Sequence, residues 1–261
     1  MRVARSIREQ SVPPGSVAIW WLGQNSYVLR GPAVSIMIDP FFSRAGPPEK
    51  YVREEVPLRA DEIDPDAVFC THNHSDHTDA EFLASLARHS TRTRFFGPAE
   101  STGEMLEAGI AAERVESVKP GDEVKIGDAT VRVVLSKTPE VSDVAHYGYV
   151  ADLNGPRVYN TGDIMRGVTQ EPSLMEPARR AAPEVALVTT SPVEEEFPDF
   201  REAAELARAV GARVVIPAHY DCFAKRTFDP SVFAAHLRDS RDIRAEIIPY
   251  CGCYLHLAEG R

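Results

Sequence analysis

The most informative residues of the chain are Thr71-His72-Asn73-His74-Ser75-Asp76-His77-Thr78-Asp79. Three of the eight histidines lie within six positions here, beside an aspartate. Imidazole nitrogen and carboxylate oxygen are the atoms with which proteins bind zinc and similar divalent ions. His72 and His74 point to the same side of an extended segment, whereas Asp76 and His77 follow a turn and can face a neighbouring position. One short loop can therefore supply ligands to two ions.

A polar loop can also collect histidines by chance or bind metal adventitiously, so the flanking residues matter. The apolar residues 67–70 lead directly into the loop and predict a buried strand. Thr78, with Glu81 three residues on, predicts a capping box at the start of a helix over residues 79–87. A loop held between a strand and a helix fixes its side chains, which favours a metal site over a chance cluster.

The loop resembles the His-x-His-x-Asp-His signature of the metallo-β-lactamase superfamily. Other segments recur in the order that this superfamily shows, namely Trp20-Trp21-Leu22-Gly23-Gln24-Asn25-Ser26-Tyr27, Ile38-Asp39-Pro40, Lys119-Pro120-Gly121-Asp122, Thr161-Gly162-Asp163 and Val215-Ile216-Pro217-Ala218-His219. The set is most similar to the branch that contains the bacterial L-ascorbate-6-phosphate lactonases. The resemblance implies an α/β fold, the αββα sandwich, in which two mixed β-sheets pack together, helices cover the outer faces and metals lie at one shared edge.

The resemblance also implies a ligand set for two divalent metal ions. It assigns His72, His74 and His146 to one ion, Asp76, His77 and His219 to the other, and Asp163 to a bridging position between them. The local sequence agrees for Asp163, because Gly162 lets the backbone approach closely, although an Asp that only stabilises a turn is the alternative. For His146 the alternative is a core histidine.

Further roles follow from the same pattern. Asp76 can orient the nucleophile or accept its proton while also binding metal, and is the predicted catalytic residue. Asp39 is expected to orient a ligand and not to bind metal itself, and Asp221 is expected to orient His219. The remaining histidines expected to have structural roles are His89, His236 and His256.

The chain has the length and composition of one compact enzyme-sized unit, with 261 residues and 43% hydrophobic side chains. We predict a single domain over residues 1–261, with an irregular N-terminal extension at residues 1–15. The expected strands cover residues 17–22, 27–30, 34–39, 67–71, 123–125, 130–135, 147–152, 157–160, 185–189, 213–217 and 245–248. The expected helices cover residues 79–87, 99–108, 200–210 and 231–238.

The charge, the apolar segments and the cysteines indicate which partners and which compartment to expect. The formal charge is −10, with 39 acidic and 29 basic residues, and this argues against nucleic acid as a partner. The sequence contains neither a membrane-length apolar run nor an apolar segment typical of a secretory signal. Four cysteines in such a chain are expected to be structural, in a reduced compartment. We expect a cytoplasmic protein with a small-molecule substrate, and a homo-oligomer is compatible with the sequence.

The ligand set implies a metal-dependent hydrolase that uses a metal-activated hydroxide. The branch resemblance favours a lactone or similar carboxylic ester, but the chain is shorter than those lactonases between Leu135 and His146, so no particular sugar phosphate is assigned. A small-molecule metallophosphodiesterase and a catalytically silent metal-binding protein are the alternatives. Zinc is the expected metal, and manganese or iron also fits. The basic residues that could bind a substrate phosphate or carboxylate are Lys137, Arg166, Lys225 and Arg226.

Overall fold

The computed structural model describes residues 2–142 and 144–257. Six α-helices occur within these residues: α1 (Arg2–Glu9), α2 (Ala80–His89), α3 (Ala99–Glu107), α4 (Pro172–Ala181), α5 (Phe200–Ala209) and α6 (Pro230–His236). The strands of this part are β1 (Ser16–Trp21), β2 (Tyr27–Arg30), β3 (Ser35–Ile38), β4 (Ala67–Phe69), β5 (Arg94–Gly97), β6 (Val115–Ser117), β7 (Glu123–Ile126), β8 (Ala129–Leu135), β9 (Tyr147–Asp152), β10 (Arg157–Asn160), β11 (Val185–Thr189), β12 (Val214–Ala218), β13 (Arg244–Ala245) and β14 (Cys253–Leu257).

The strands form two mixed sheets of seven strands each. The first sheet has the order β14-β1-β2-β3-β4-β5-β6, and the second has the order β13-β12-β11-β10-β9-β8-β7. In the first sheet the strands from β14 to β3 pair antiparallel and those from β3 to β6 pair parallel. In the second sheet the strands from β7 to β10 pair antiparallel and those from β10 to β13 pair parallel.

Both faces of the central strands are buried, which explains why these strands are almost continuously apolar in sequence. Side chains alternate between the faces of a strand. In β1, Val17 and Ile19 belong to the core between the two sheets, whereas Ala18 and Trp20 belong to the core beneath the helices. The strand therefore contributes to two layers of packing at once.

Helices cover the outer face of each sheet. Apolar residues of α1, α2 and α3 share a core with the outer face of the first sheet. Those of α4, α5 and α6 share a separate core with the outer face of the second sheet. The layers are thus helices, sheet, sheet and helices, and this confirms the predicted αββα sandwich. Within the described residues, no helix has both the length and the apolar character needed to cross a membrane.

The N-terminal segment differs from the prediction. Residues 1–15 were expected to be irregular, but Arg2–Glu9 form α1. Val3, Ala4 and Ile7 bury their side chains against the first sheet, because they repeat at helical spacing. The backbone oxygen of Ile7 also accepts a hydrogen bond from Arg30 of β2. The segment is therefore part of the packed structure. The extent of the single domain stays a prediction.

The structure confirms some of the other predicted elements and corrects several others. The strands expected over residues 147–152, 157–160 and 185–189 are confirmed with these bounds. The short strands β5 and β6 and helix α4 were missed, and α4 contains Pro177, which normally argues against a helix. The strand expected over 245–248 is reduced to Arg244–Ala245. The cap of α2 is Asp79, which accepts from the backbone N–H of Phe82, and not Thr78.

We predict that α1 contributes measurably to stability. Ile7→Ala should lower the free energy of unfolding by about 2–4 kcal/mol, because it removes a buried side chain and leaves a cavity. Urea denaturation of the full chain measures this change. Arg5→Ala is the matched control, since the exposed Arg5–Glu9 ion pair should contribute less than about 0.5 kcal/mol. Equal effects of the two substitutions would contradict the prediction, because the packing of α1 would then contribute little to the free energy of unfolding.

Candidate metal centre

The candidate residues lie at the ends of strands from both sheets. The loop over residues 70–79 follows β4, and Asp39 follows β3. In the second sheet Asp163 lies just beyond β10, His219 follows β12 directly, and His146 immediately precedes β9. Loops at the carboxyl ends of parallel strands meet at one edge of a sheet, and ligand sites commonly form there. Here the two packed sheets bring their loops to a common edge.

One group consists of His72, His74 and His146. A nitrogen of each ring lies within 4.8 Å of the others. Nε2 of His72 is 3.0 Å from Nδ1 of His74, and the rings of His72 and His146 stack with centroids 4.0 Å apart. His72 and His146 are buried, whereas His74 is exposed. Three imidazoles that converge in this way can hold one divalent ion.

A second group consists of Asp76, His77 and His219. Oδ2 of Asp76 lies 3.7 Å from Nε2 of His77 and 3.9 Å from Nε2 of His219. Both rings are buried, while the Asp76 side chain is only 16% exposed and faces a pocket. Two imidazoles and a carboxylate are again a donor set that suits a divalent ion.

Asp163 lies between the two groups. Its Oδ2 is 3.7 Å from Nε2 of His72, and its Oδ1 is 3.4 Å from Nε2 of His77 and 3.5 Å from Nε2 of His219. Gly162 makes this position possible, since its φ is +54° and a Cβ there would lie 2.5 Å from the backbone oxygen of Tyr147. The structure thus brings all seven side chains selected from the sequence together, with one carboxylate facing both groups.

Several buried polar atoms at this centre have no hydrogen-bond partner among the described residues. They include Nε2 of His77 and Oδ1 of Asp163, which face each other across 3.4 Å. A buried carboxylate oxygen without a donor is costly unless a cation or proton satisfies it. The donor types, their spacing and their unsatisfied atoms therefore fit divalent cations.

The pKa shifts of three buried histidines show that charge is unevenly distributed between the two groups. Burial, followed by the charges of neighbouring histidines, holds the pKa of His72 well below its usual range. Burial and then Lys137 lower the pKa of His146 to about 3. Burial acts in the same direction on His77, but nearby carboxylates, first that of Asp163, outweigh it and raise the pKa of His77 to about 10. The negative charge of the centre is thus concentrated around His77.

Asp39 holds His77 in place, as expected for an orienting residue. Its Oδ2 accepts a hydrogen bond from Nδ1 of His77 at 2.7 Å, which leaves Nε2 of His77 directed at the centre. The carboxylate also accepts from the backbone N–H and hydroxyl of Thr71, at 2.7 and 2.6 Å, and from the amide of Asn25 at 2.7 Å. Asp39 is fully buried with φ at +43°, a strained conformation that persists because these contacts fix it.

The prediction for Asp221 is wrong. Its carboxylate pairs with Arg53 at 2.6 Å instead of orienting His219. The carboxylate nearest to Nδ1 of His219 is that of Glu194, whose Oε2 lies 3.9 Å away. Both atoms are buried without a hydrogen-bond partner among the described residues. Glu194 is remote in sequence and lies within an acidic run, so only the fold could identify it.

The sequence alone indicates no role for Gln24. Its Nε2 lies 2.8 Å from Oδ2 of Asp76 and 2.9 Å from Nε2 of His219. The side chain is 2% exposed and therefore belongs to the centre. The sequence feature that could have identified Gln24 is the Gly-Gln-Asn turn between two buried strands. A residue in such a turn can project its side chain into the edge where the two sheets meet.

Two adjoining pockets open beside the second group. One, of about 360 Å³, is lined by Asp76, His219 and Arg226, and the other, of about 510 Å³, shares Asp76 and Arg226 and adds Lys50 and Lys225. A larger cavity of about 890 Å³ lies between β13 and β14 with a different lining, so size alone does not identify the site. The adjoining pair has the dimensions of a small-molecule site.

The other two candidate anion-binding residues are engaged elsewhere. Lys137 is 8% exposed and pairs with Glu196 at 3.0 Å. Arg166 donates to the backbone oxygen of Glu195 and is 46% exposed. Glu196 thus holds Lys137, while Arg166 is held by the backbone of Glu195 and lies 3.9 Å from Asp199. Lys225 and Arg226 are the members of the predicted set that line it.

Comparison with known proteins agrees with this architecture. Residues 35–220 match a family model described as "Beta-lactamase superfamily domain". A "UPF0173 metal-dependent hydrolase" from Myxococcus xanthus (strain DK1622) is 26% identical over 265 residues, covering 96% of this chain and 87% of that protein. A "Probable L-ascorbate-6-phosphate lactonase UlaG" from Escherichia coli O127:H6 is 25% identical over 269 residues, covering 86% and 75%. The solved structure of Igni18, a metallo hydrolase from Ignicoccus hospitalis, has a TM-score of 0.72 at 19% identity, covering 94% of this chain and all of that one.

We predict that metal binding releases protons. With a pKa of about 10, His77 carries an imidazolium at pH 8 in the metal-free chain, and its Nε2 must lose the proton before it can bind a cation. For one coupled proton, apparent metal affinity should fall about tenfold per pH unit below 10. Calorimetric titration with Zn²⁺ in buffers of different ionisation enthalpy counts the protons. Binding heats independent of the buffer would contradict this expectation.

Proposed function

We propose that the chain, which belongs to the metallo-β-lactamase superfamily and is a metal-dependent hydrolase of that superfamily, hydrolyses a lactone or similar carboxylic ester of a small metabolite. The sequence relatives named as lactonases support this substrate class. A fold alone does not select an ester over other electrophiles, so the proposal rests on that similarity together with the site.

The single observation that carries the metal-dependent mechanism is the position of Asp163. One carboxylate directs its two oxygens at two separate groups of donors, and the oxygen that faces His77 has no hydrogen-bond partner among the described residues. We therefore propose that His72, His74 and His146 hold one ion, that Asp76, His77 and His219 hold another, and that Asp163 bridges them. Zinc suits the histidine-rich groups best, and manganese or iron also fits.

When bound, two such ions supply Lewis acidity that makes hydroxide available near neutral pH and polarises the oxygen of the electrophile. The chain's own residues do the rest. Asp76 borders both pockets and can accept the proton of the attacking water through its carboxylate. Asp39 keeps His77 in the tautomer that carries its proton on Nδ1. Phe197, whose ring lies 4.8 Å from that of His219, excludes water from one side.

The pockets are consistent with a small substrate. Their sizes match those of metabolite sites, and the net charge of −10 disfavours a nucleic-acid partner. Lys225 and Arg226 supply local positive charge despite the acidic surface, and Arg226 is partly offset by Glu194 at 3.4 Å. We propose a substrate whose acidic group is held mainly by Lys225 and whose ester lies over the second group of ligands.

The proposed function can be tested with purified protein. The protein, loaded in turn with Zn²⁺, Mn²⁺ or Fe²⁺, is offered simple lactones, neutral carboxylic esters and bis(p-nitrophenyl) phosphate. The proposal expects turnover of lactones or esters that disappears with a chelator and returns with metal. Asp76→Asn should reduce kcat by at least about a hundredfold, because general-base catalysis contributes on that order. Metal-dependent turnover of the phosphodiester alone would make the protein a phosphodiesterase instead.

Removal of a single positive charge tests whether the pocket holds an acidic group of the substrate. Lys225→Ala should raise KM about tenfold for lactones that carry a carboxylate or phosphate and leave KM for neutral lactones unchanged, because only the former lose a charge-assisted contact. Arg166→Ala is the matched control, since its side chain faces Glu195 and Asp199. An equal rise of KM for charged and neutral substrates would argue against an anion-binding role for Lys225.

A further inference from the structure

The carboxamide of Gln24 contacts two of the three side chains in the second group. Its Nε2 lies 2.8 Å from Oδ2 of Asp76 and 2.9 Å from Nε2 of His219. An amide nitrogen carries two hydrogens and no acceptor, so it can donate to both atoms at once. Oδ2 of Asp76 also lies 3.7 Å from Nε2 of His77, and candidate ligand atoms of Asp76, His77 and His219 lie within 4.8 Å of one another. The amide thus uses lone pairs that a cation would need.

The backbone holds Gln24 in this position. Its φ is +52°, a left-handed conformation that is uncommon and costly for a residue with a side chain. Its N–H donates to the backbone oxygen of Tyr220 at 3.0 Å, and its own backbone oxygen accepts from the N–H of His219 at 3.1 Å and from the indole of Trp21 at 3.0 Å. The backbone is thus fixed on both sides, and the side chain is only 2% exposed, so the surrounding residues restrict its rotation.

The first group has a different neighbour. Asn73 lies between His72 and His74 in sequence and also carries a carboxamide, but its Nδ2 donates to Glu104 at 3.2 Å. In that group the ring nitrogens of His72 and His74 face each other at 3.0 Å. An amide donor therefore contacts candidate ligand atoms of the second group, whereas the amide nearest in sequence to the first group is turned toward a carboxylate outside it.

A cation and an amide donor cannot share the single lone pair on Nε2 of His219. A cation that binds there must break the hydrogen bond from Gln24, and the hydrogen bond to Asp76 lowers the electron density that this carboxylate can offer. Both effects oppose binding in the second group and leave the first group unchanged. Each effect has the free energy of a hydrogen bond in a buried polar site. This is enough to make the metal affinity of the second group lower than that of the first.

We propose that Gln24 competes with the cation for His219 and Asp76, so that the second position binds more weakly than the first and the two ions are bound in sequence. This inference rests on the metal-dependent function proposed above, but it concerns binding and not turnover. Gln24 is thus a positioning residue that sets metal occupancy. The concentration of free metal would then determine whether the centre holds one ion or two.

The test is a stepwise calorimetric titration of the full chain with Zn²⁺ at pH 8 after chelation. Gln24→Gly removes the carboxamide and suits the left-handed backbone. The second dissociation constant should fall about tenfold, which corresponds to about 1.4 kcal/mol, while the first should change less than about twofold. Gln24→Asn, which also tolerates this backbone but is one methylene shorter, should give a smaller shift in the same direction.

Asn73→Ala is the matched control, since it removes the carboxamide that is directed at Glu104 and should leave both constants unchanged. A second readout is the ¹⁵N spectrum of the metal-free chain, in which His219 should carry its ring proton on Nδ1 because Nε2 accepts from Gln24. Unchanged or weaker binding of the second ion in Gln24→Gly would overturn the proposal, and weaker binding would identify the carboxamide oxygen as a ligand. Tighter binding without turnover would support the competition and count only against the proposed hydrolysis.

Discussion

The structure depends on the burial of carboxylates around a single imidazole. Asp39, Asp76 and Asp163 all approach the ring of His77, which is fully buried. Concentrated negative charge away from water is unfavourable unless a cation balances it. A proton on His77 can supply that charge in the metal-free chain, and divalent ions can supply it otherwise. The need for a cation therefore follows from the packing itself, and the hydrolytic chemistry is one use of it.

The fold meets this demand by joining two sheets at one edge. Each sheet is parallel in part, and the carboxyl ends of β3 and β4 meet those of β10 and β12 there. The chain turns sharply at these ends, where Asp39 and His219 have positive φ values of 43° and 69°. Such strained residues commonly lie at functional sites, where surrounding contacts compensate for them. The rigid layers behind the loops keep the donors in place.

Much of this arrangement could be predicted from sequence, because it is encoded in short segments. The apolar strands, the histidine loop and the αββα layers follow from local patterns and from the family resemblance, and the seven selected side chains lie together, although their role as ligands stays a prediction. Contacts between distant segments could not be predicted. Gln24 reaches the centre only through the bridge to Tyr220, Glu194 replaces Asp221 near His219, and α1 is identified by its packing against the first sheet.

Metal binding at this centre is tested most directly by anomalous X-ray diffraction from crystals grown with excess Mn²⁺ or Zn²⁺ and recorded at the metal absorption edge. We expect two peaks about 3.5–4 Å apart, one among His72, His74 and His146 and the other among Asp76, His77 and His219, with Asp163 between them. Absence of anomalous density at this edge of the sheets, despite saturating metal, would contradict the claim that these buried donors bind divalent ions.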